Sequence, residues 1–439
     1  MTEIAVADWQ WFFTEGGHPD NENIQRCIRC GLCLAVCPTY QQSYLETESP
    51  RGRVALIKAA SSGGLKVSPN LVRLLYVCLD CRACQTTCPS GVKIGEWVIA
   101  ARAEIEAHRR RWVIPQFLRD TIYRRLLPYP ERLEAATSAL RVYQRVGLQK
   151  VIRGSRVLKP FPSVEAMERL LPPLPARPLR QELPEVVIAR GQERLRVGFY
   201  LGCFMSLFFP EASASTVRVL RENGCTVVTP RRQKCCGAPH LADGEMEVAR
   251  DLARHNVRVF EQAQVDYVVT DCAACGTELK AWPELLADDP EYAPRARALK
   301  TKARDITEFL VGLPLRPPRG EVRARVTYHD PCHLAHSQGI TQPPRHLLKS
   351  IPGLEYVEMA EANWCCGSAG AYGITHRSYS QGILDRKMSN IVATGARVVA
   401  TANPGCLLQL RLGAQRTQRP LALAHVVELL DRAYRAEGN

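Results

Sequence analysis

The chain reads as an α+β protein of several domains: a helical N-terminal part built around two copies of one cysteine run, then two α/β units that repeat each other. Three observations carry that expectation. With 439 residues, the chain is too long for one comfortable hydrophobic core, so two or three domains are expected. The run CIRCGLCLAVCP at residues 27–38 returns as CLDCRACQTTCP at 78–89. The C-terminal half also aligns on itself with a period of about 130 residues. In that alignment LGC ending at Cys203 meets DPC ending at Cys332, Cys235-Cys236-Gly237 meets Cys365-Cys366-Gly367, and DCAAC ending at Cys275 meets ANPGC ending at Cys406. The expected divisions are 1–110, 111–194, 195–318 and 319–439.

In the N-terminal part, both runs fit C-x2-C-x2-C-x3-C-P, the spacing by which bacterial-type ferredoxins hold two [4Fe-4S] cubanes. Three thiolates two residues apart on a curled backbone reach three corners of one cube, and the fourth, next to a proline, points elsewhere. The expected exchange puts Cys27, Cys30, Cys33 and Cys88 on one cluster and Cys78, Cys81, Cys84 and Cys37 on the other. Paired zinc knuckles are the rival reading, but zinc takes four ligands and leaves the third C-x2 step unused. Ser68-Pro69 reads as an N-cap and first helical residue, ahead of Leu71, Leu74 and Leu75 on one face. Ile94, Trp97, Val98, Ala101 and Ile105 recur at helical spacing after the second run. Helices that feed and leave both loops predict the α-helical ferredoxin type of domain rather than a β-hairpin type.

Residues 111–194 are basic and proline-rich, as in HRRRW, LLPYPERL, KPFPS and LPPLPARPLRQELPE. Two short amphipathic helices are expected near 116–127 and 133–146, with Phe117, Ile122, Tyr123 and Leu126 on an apolar side, then an extended strap from about Pro172. Residues 101–200 carry 20 Lys and Arg against 10 Asp and Glu, so most of the net charge of +14 lies here. That stretch suits an acidic partner, an anionic membrane surface or a solvated face. No nucleic-acid recognition module accompanies it.

Each C-terminal unit alternates short β-rich runs with helical runs. In the first, strands are expected at 196–203, 225–230 and 266–272, with helices at 211–223 and 243–263; in the second, strands at 324–332, 354–359 and 396–404, with helices near 345–350 and at 376–393. The pattern implies parallel sheets, with the cysteines at the carboxyl ends of the strands where such sheets hold ligands. The first unit offers Cys203, Cys235, Cys236, Cys272 and Cys275. The second offers Cys332, Cys365, Cys366 and Cys406, with Asn403 where the repeat expects a cysteine.

Apolar and charged fractions of 46% and 23% fit an ordinary soluble chain and exclude general disorder. The 18 cysteines sit in tight C-x2-C groups, which points to metal rather than to a disulfide framework. The first twenty residues lack a basic region followed by an apolar one, so no secretory signal is expected. The most apolar window, VGFYLGCFMSLFF at 197–209, is far below the roughly 20 residues of a spanning helix. The expected location is cytoplasmic, with peripheral attachment at the inner face of the membrane left open.

These motifs resemble the CCG cysteine-rich domains of heterodisulfide reductase catalytic subunits and, more closely, the iron–sulfur subunits of glycolate oxidases. The resemblance rests on the order of the doubled run and the CCG repeat, and on PRGR (50–53), TCPSGV (87–92), WCCGSAG (364–370) and TANPGC (401–406). It implies a non-cubane [4Fe-4S] cluster on the five thiolates of the first unit, with a cubane or zinc as alternatives. For the four thiolates of the second unit it leaves a cubane, zinc or a compromised cluster open. It further implies a partner flavoprotein carrying FAD that oxidises a 2-hydroxy acid such as glycolate or lactate, with electrons relayed towards membrane quinone. Related readings are a thiol–disulfide reductase of the heterodisulfide reductase type and the iron–sulfur subunit of anaerobic glycerol-3-phosphate dehydrogenase. No flavin, nicotinamide or hydrolytic motif is present, so substrate chemistry is expected on the partner.

Four smaller expectations remain. Cys225, outside every group, reads as a core residue. The pairs Cys235-Cys236 and Cys365-Cys366 admit a strained vicinal disulfide, which a reducing compartment disfavours. His240, His329, His333, His336 and His376 invite a metal or proton-relay role, with hydrogen bonding beside the sites or surface placement as the expected one. GSAGAYG at 367–373 reads as room for a cluster rather than as a nucleotide loop.

Overall fold

The computed structural model describes residues 21–109, 113–155, 157–160, 164, 165, 168, 171, 173–417 and 420–437. Residues 1–20, where no secretory signal is expected, Pro172, and parts of HRRRW and KPFPS lie outside these residues.

The N-terminal part is helical, with no strand among its described residues. Helices Pro50–Ser61, Pro69–Tyr76 and Ile94–His108 pack through Ile57, Leu71, Leu75, Trp97, Val98, Ala101 and Ile105. The first two start alike: proline at the first position, with Ser49 Oγ accepting from Gly52 N and Ser68 Oγ from Leu71 N. The expected Ser68-Pro69 start is therefore observed.

The two C-terminal units carry sheets of matching topology. Strands β1 (Val186–Val187), β2 (Leu195–Phe199), β3 (Cys225–Val228), β4 (Tyr267–Thr270) and β5 (Ala303–Asp305) lie in the order β1-β3-β2-β4-β5, and β1 alone is antiparallel. Strands β6 (Ala324–Tyr328), β7 (Leu354–Tyr356), β8 (Val398–Thr401) and β9 (Ala422–His425) form a parallel sheet in the order β7-β6-β8-β9. In each unit the chain crosses from the first strand to one neighbour, then returns to pair on the other side. That reversal opens a crevice at the carboxyl ends of β2 and β4, and of β6 and β8. Cys203, Cys272 and Cys275 follow β2 and β4; Cys332 and Cys406 follow β6 and β8.

One core runs through both units, joining Val197, Phe199, Val217 and Leu220 of the first to Val326, Tyr328, Val426 and Leu430 of the second. Cys225 is fully buried in it, as expected of a core residue. The middle segment is clamped to the first unit rather than trailing beside it. Its helices span Val113–Asp120, Pro130–Arg145 and Leu148–Ser155, with a π-helical stretch at Thr121–Leu126. Arg119 pairs with Glu245 at 2.8 Å, and Tyr123 hydrogen-bonds Asp243. Leu179 and Leu183, beyond the prolines, enter the shared core. No helix among the described residues is long and apolar enough to cross a membrane.

Candidate metal centres

The two runs fold alike. The second residue after the first cysteine is left-handed in both, Arg29 at φ 57° and Asp80 at φ 51°, and so is the fourth, Gly31 at φ 84° and Arg82 at φ 62°. This repeated twist curls each loop around its thiols, and a single helical turn follows, Leu32–Ala35 or Ala83–Thr86. Burial pushes the Cys84 thiol well up, and the neighbouring thiols of Cys78, Cys37 and Cys33 push it further. Cys33 and Cys37 of the first run thus both approach Cys84 of the second. At the other end Asn23, four residues before Cys27, accepts from Lys93 N at 2.8 Å and donates to Gly91 O at 3.0 Å, tying the first run to the loop after Cys88. Backbone N–H groups of Asp80 and Val92 point at Cys78 and Cys88 Sγ, each at 3.4 Å. The fully buried Arg53 of the PRGR stretch donates to Leu74 O and Thr39 Oγ1, with Cys37, Cys78 and Cys84 around it. It places one positive charge beside three sulfurs.

In the first unit, Cys235, Cys236, Cys272 and Cys275 are buried and Cys203 is half-buried. The Cys-Cys turn is held from three sides: Asn256 donates to Cys235 O (3.0 Å), Trp282 Nε1 to Cys236 O (3.3 Å), and Tyr200 OH to Lys234 O (2.6 Å). His240 is fully buried and its Nε2 donates to Tyr123 O at 2.8 Å, while its Nδ1 has no hydrogen-bond partner among the described residues. Its hydrogen bond ties the first unit to the middle segment rather than to a sulfur. Neighbouring thiols shift one another's protonation along the set, Cys203 with Cys235, Cys235 with Cys236, and Cys236 with Cys275.

In the second unit, Cys332, Cys365, Cys366 and Cys406 form a similar set, with Cys366 Sγ donating to Cys406 Sγ at 3.5 Å. Lys387 is fully buried beside it, donating to Glu361 O and Ala362 O, and desolvation brings its ammonium down to about 8. His333 Nδ1 lies 3.5 Å from Cys332 Sγ, His336 bonds Thr86 at 3.1 Å, and His376 stacks on Tyr372. His329 departs from expectation, because it is fully buried and neither ring nitrogen has a hydrogen-bond partner among the described residues. Strand β6 carries it inward, so neither surface placement nor a supporting hydrogen bond describes it.

The second run docks against both units. Cys81 is buried, and burial together with the neighbouring thiols of Cys365, Cys332 and Cys84 pushes its own thiol well up. Leu79, Cys81, Trp364, Cys365, Tyr372 and Ile383 form one apolar cluster, and Tyr372 OH donates to Val77 O at 2.9 Å. On the other side Arg82 faces the buried Glu278, whose carboxyl desolvation pushes up to about 8 against the opposing pull of Arg82, with Cys235 nearby. All eighteen cysteines are free thiols, so neither adjacent pair is a vicinal disulfide.

The donor sets fit iron–sulfur clusters. They are soft, buried thiols with backbone N–H groups aimed at several sulfurs, and burial holds many of them protonated until a cation replaces the proton. Missed by sequence reasoning were Arg53, Tyr200, Asn256, Trp282 and Lys387. For Lys387 a signal existed, since helical spacing places it on the face of Ile383, Leu384, Met388 and Ile391.

A doubled run of this kind, docked on two thiol-lined α/β units, defines a cysteine-rich iron–sulfur protein. The family model described as a 4Fe-4S dicluster domain matches residues 23–92, the glycolate oxidase iron-sulfur subunit linker region matches 115–171, and the cysteine-rich CCG domain matches 197–280 and 326–411. A probable glycolate oxidase iron-sulfur subunit of Bacillus subtilis is 40% identical over 94% of both chains. The glycolate oxidase iron-sulfur subunit of Escherichia coli is 31% identical over 94% of this chain and 95% of its own. Lactate utilization protein A of a Geobacillus strain is 32% identical over 54% of this chain and 99% of its own. The chain belongs to the glycolate oxidase iron–sulfur subunit family.

Proposed function

We propose that the chain is the electron-transfer subunit of a flavoprotein oxidase or dehydrogenase acting on glycolate or lactate, taking electrons from an FAD-containing partner and passing them towards membrane quinone. Iron–sulfur clusters bound at its thiols would supply one-electron exchange. Cys27, Cys30, Cys33 and Cys88 would hold one [4Fe-4S] cubane, and Cys78, Cys81, Cys84 and Cys37 the other. Cys203, Cys235, Cys236, Cys272 and Cys275 would hold a third cluster, and Cys332, Cys365, Cys366 and Cys406 a metal centre. The observation that carries the proposal is the position of Cys81, between its own run and the thiols of Cys332 and Cys365 in one dry contact. Substrate oxidation belongs to the partner, since the buried residues described here orient sulfur rather than a hydroxy acid. The exposed Ile114, Phe117 and Leu118 offer an apolar surface for docking. A disulfide reductase finds less support, because four of the five thiols in the first unit are 5% exposed or less.

The test uses the anaerobically purified chain and its co-purifying flavin subunit. Glycolate or lactate should reduce the clusters, read by electron paramagnetic resonance, only when both subunits are present. Reduction of the isolated chain by substrate, or none by any hydroxy acid in the complex, would sink the proposal; reduction by glycerol 3-phosphate alone would reassign the partner.

A further inference from the structure

Two of the differences between the Cys-Cys-Gly units lie beside their thiols and complement each other. Cys272 of the first unit corresponds to Asn403 of the second, so one thiolate is missing. The Asn403 side chain bridges the units: Oδ1 accepts from Ala274 N at 3.3 Å and lies 3.8 Å from Cys272 Sγ, while Nδ2 lies 3.7 Å from Cys406 Sγ. It replaces the lost sulfur with a positioning amide.

Tyr200 of the first unit corresponds to His329 of the second. Each stands three residues before the first cysteine of its unit, and each backbone N–H bonds the equivalent carbonyl, Val269 O at 2.8 Å or Ala400 O at 2.9 Å. The hydroxyl of Tyr200 is used on Lys234 O. The imidazole of His329 has no such use, being fully buried with both nitrogens unpartnered. A buried, unpartnered polar group is unfavourable unless something occupies its lone pair. A ring nitrogen of His329 and the sulfurs of Cys366 and Cys406 all lie within 4.8 Å of one another. Among the described residues no other group of three or more such donors is gathered so tightly. A single tetrahedral ion with metal–sulfur bonds of about 2.3 Å draws its thiolates to about 3.8 Å of one another. Cys366 and Cys406 Sγ, 3.5 Å apart, match that spacing.

We propose that His329 is a nitrogen ligand, and that His329, Cys366 and Cys406 bind one divalent metal atom in the second unit, the imidazole taking the place of the thiolate lost at Asn403. Imidazole with thiolate suits zinc or ferrous iron. The inference rests on the reading that the second thiol set holds metal, and the test separates the two. Iron and zinc per chain are measured on anaerobically purified protein and on His329→Ala, His329→Cys and Cys406→Ser. X-ray absorption at both metal edges looks for a nitrogen neighbour, and the resonance signals of the N-terminal clusters serve as the folding control. Both His329→Ala and Cys406→Ser should weaken binding of the same metal by roughly tenfold or more, a loss that even outer-shell changes reach. His329→Cys should keep the metal and lose the nitrogen neighbour, and the edge that shows nitrogen in the parent identifies zinc or iron. Full metal in His329→Ala with loss in Cys406→Ser overturns the histidine ligand and leaves the thiolate site standing. Parent protein whose metal content is unchanged by Cys406→Ser overturns both. Should His329→Ala fail to fold, His329→Cys decides: a nitrogen neighbour that persists there sinks the proposal.

Discussion

His425 is fully buried before the last helix, where its Nδ1 accepts from Val427 N and its Nε2 donates to Asp271 O of the first unit at 2.9 Å. Desolvation lowers its pKa from 6.5 to about 4. A histidine held below its unfolded value contributes stability that is fully present above pH 6.5 and is lost as pH falls towards 4. Between pH 7.5 and 5.5 that loss is roughly 1.3 kcal/mol. His425→Gln keeps an acceptor and a donor but cannot take the proton, so urea unfolding should show a flatter acid limb by about that amount; parallel limbs would show that His425 is charged when folded. The likeness of the two runs was legible because cysteine spacing is local. His329 was not, because a strand of five residues carries no signal of which histidine at its end is sealed from solvent. Arg53 was visible only as part of PRGR, and its place among the sulfurs follows from tertiary packing.

At the scale of the element, the Cys-Cys-Gly turn explains its own glycine. Gly237 and Gly367 adopt φ of 99° and 85°, a region costly for any residue with a Cβ. The surroundings differ: a Cβ on Gly237 would meet Ala249 at an ordinary 3.4 Å, whereas on Gly367 it would lie 2.7 Å from Ser380 O, a backbone atom. Gly237→Ala should therefore cost only about 1–2 kcal/mol for the left-handed backbone. Gly367→Ala should cost more and displace Cys366, seen as a larger drop in unfolding temperature than for Gly237→Ala. Equal losses would show that backbone conformation alone matters. The long β-rich runs at 196–203, 225–230, 266–272, 324–332, 354–359 and 396–404 each contain a strand, because continuous β-branched stretches mark buried parallel strands. Strands β5 and β9 escaped notice: the first has three residues, and the second opens an apolar run that continues into a helix, where periodicity cannot separate the two states.

For the whole molecule, the sequence period shows that a unit was duplicated but not that the copies lean on each other. Helices Pro210–Glu222 and Val426–Ala436 pack together, with Asp431 accepting from Arg218 and from Ser215 Oγ, and Asn223 Nδ2 donating to Tyr434 OH. Ala273 N donates to Ala402 O at 3.0 Å, so the cysteine turns after β4 and β8 are bonded directly. Such contacts join residues more than a hundred positions apart, which no local pattern reports. Their consequence concerns folding. A fragment of residues 173–318 would leave Val197, Phe199, Val217 and Leu220 without Val326, Tyr328, Val426 and Leu430. Exposed apolar area of that extent removes the main term favouring the compact state. The fragment 173–318 should therefore bind a hydrophobic dye and unfold without a cooperative transition, while 173–437, with both units, should unfold in one transition and bind little dye. Cooperative unfolding of the shorter fragment at a comparable temperature would mean that each unit keeps a sufficient core of its own. The contact between Cys272 and Asn403 would then be a meeting of two finished domains rather than a product of their joint folding.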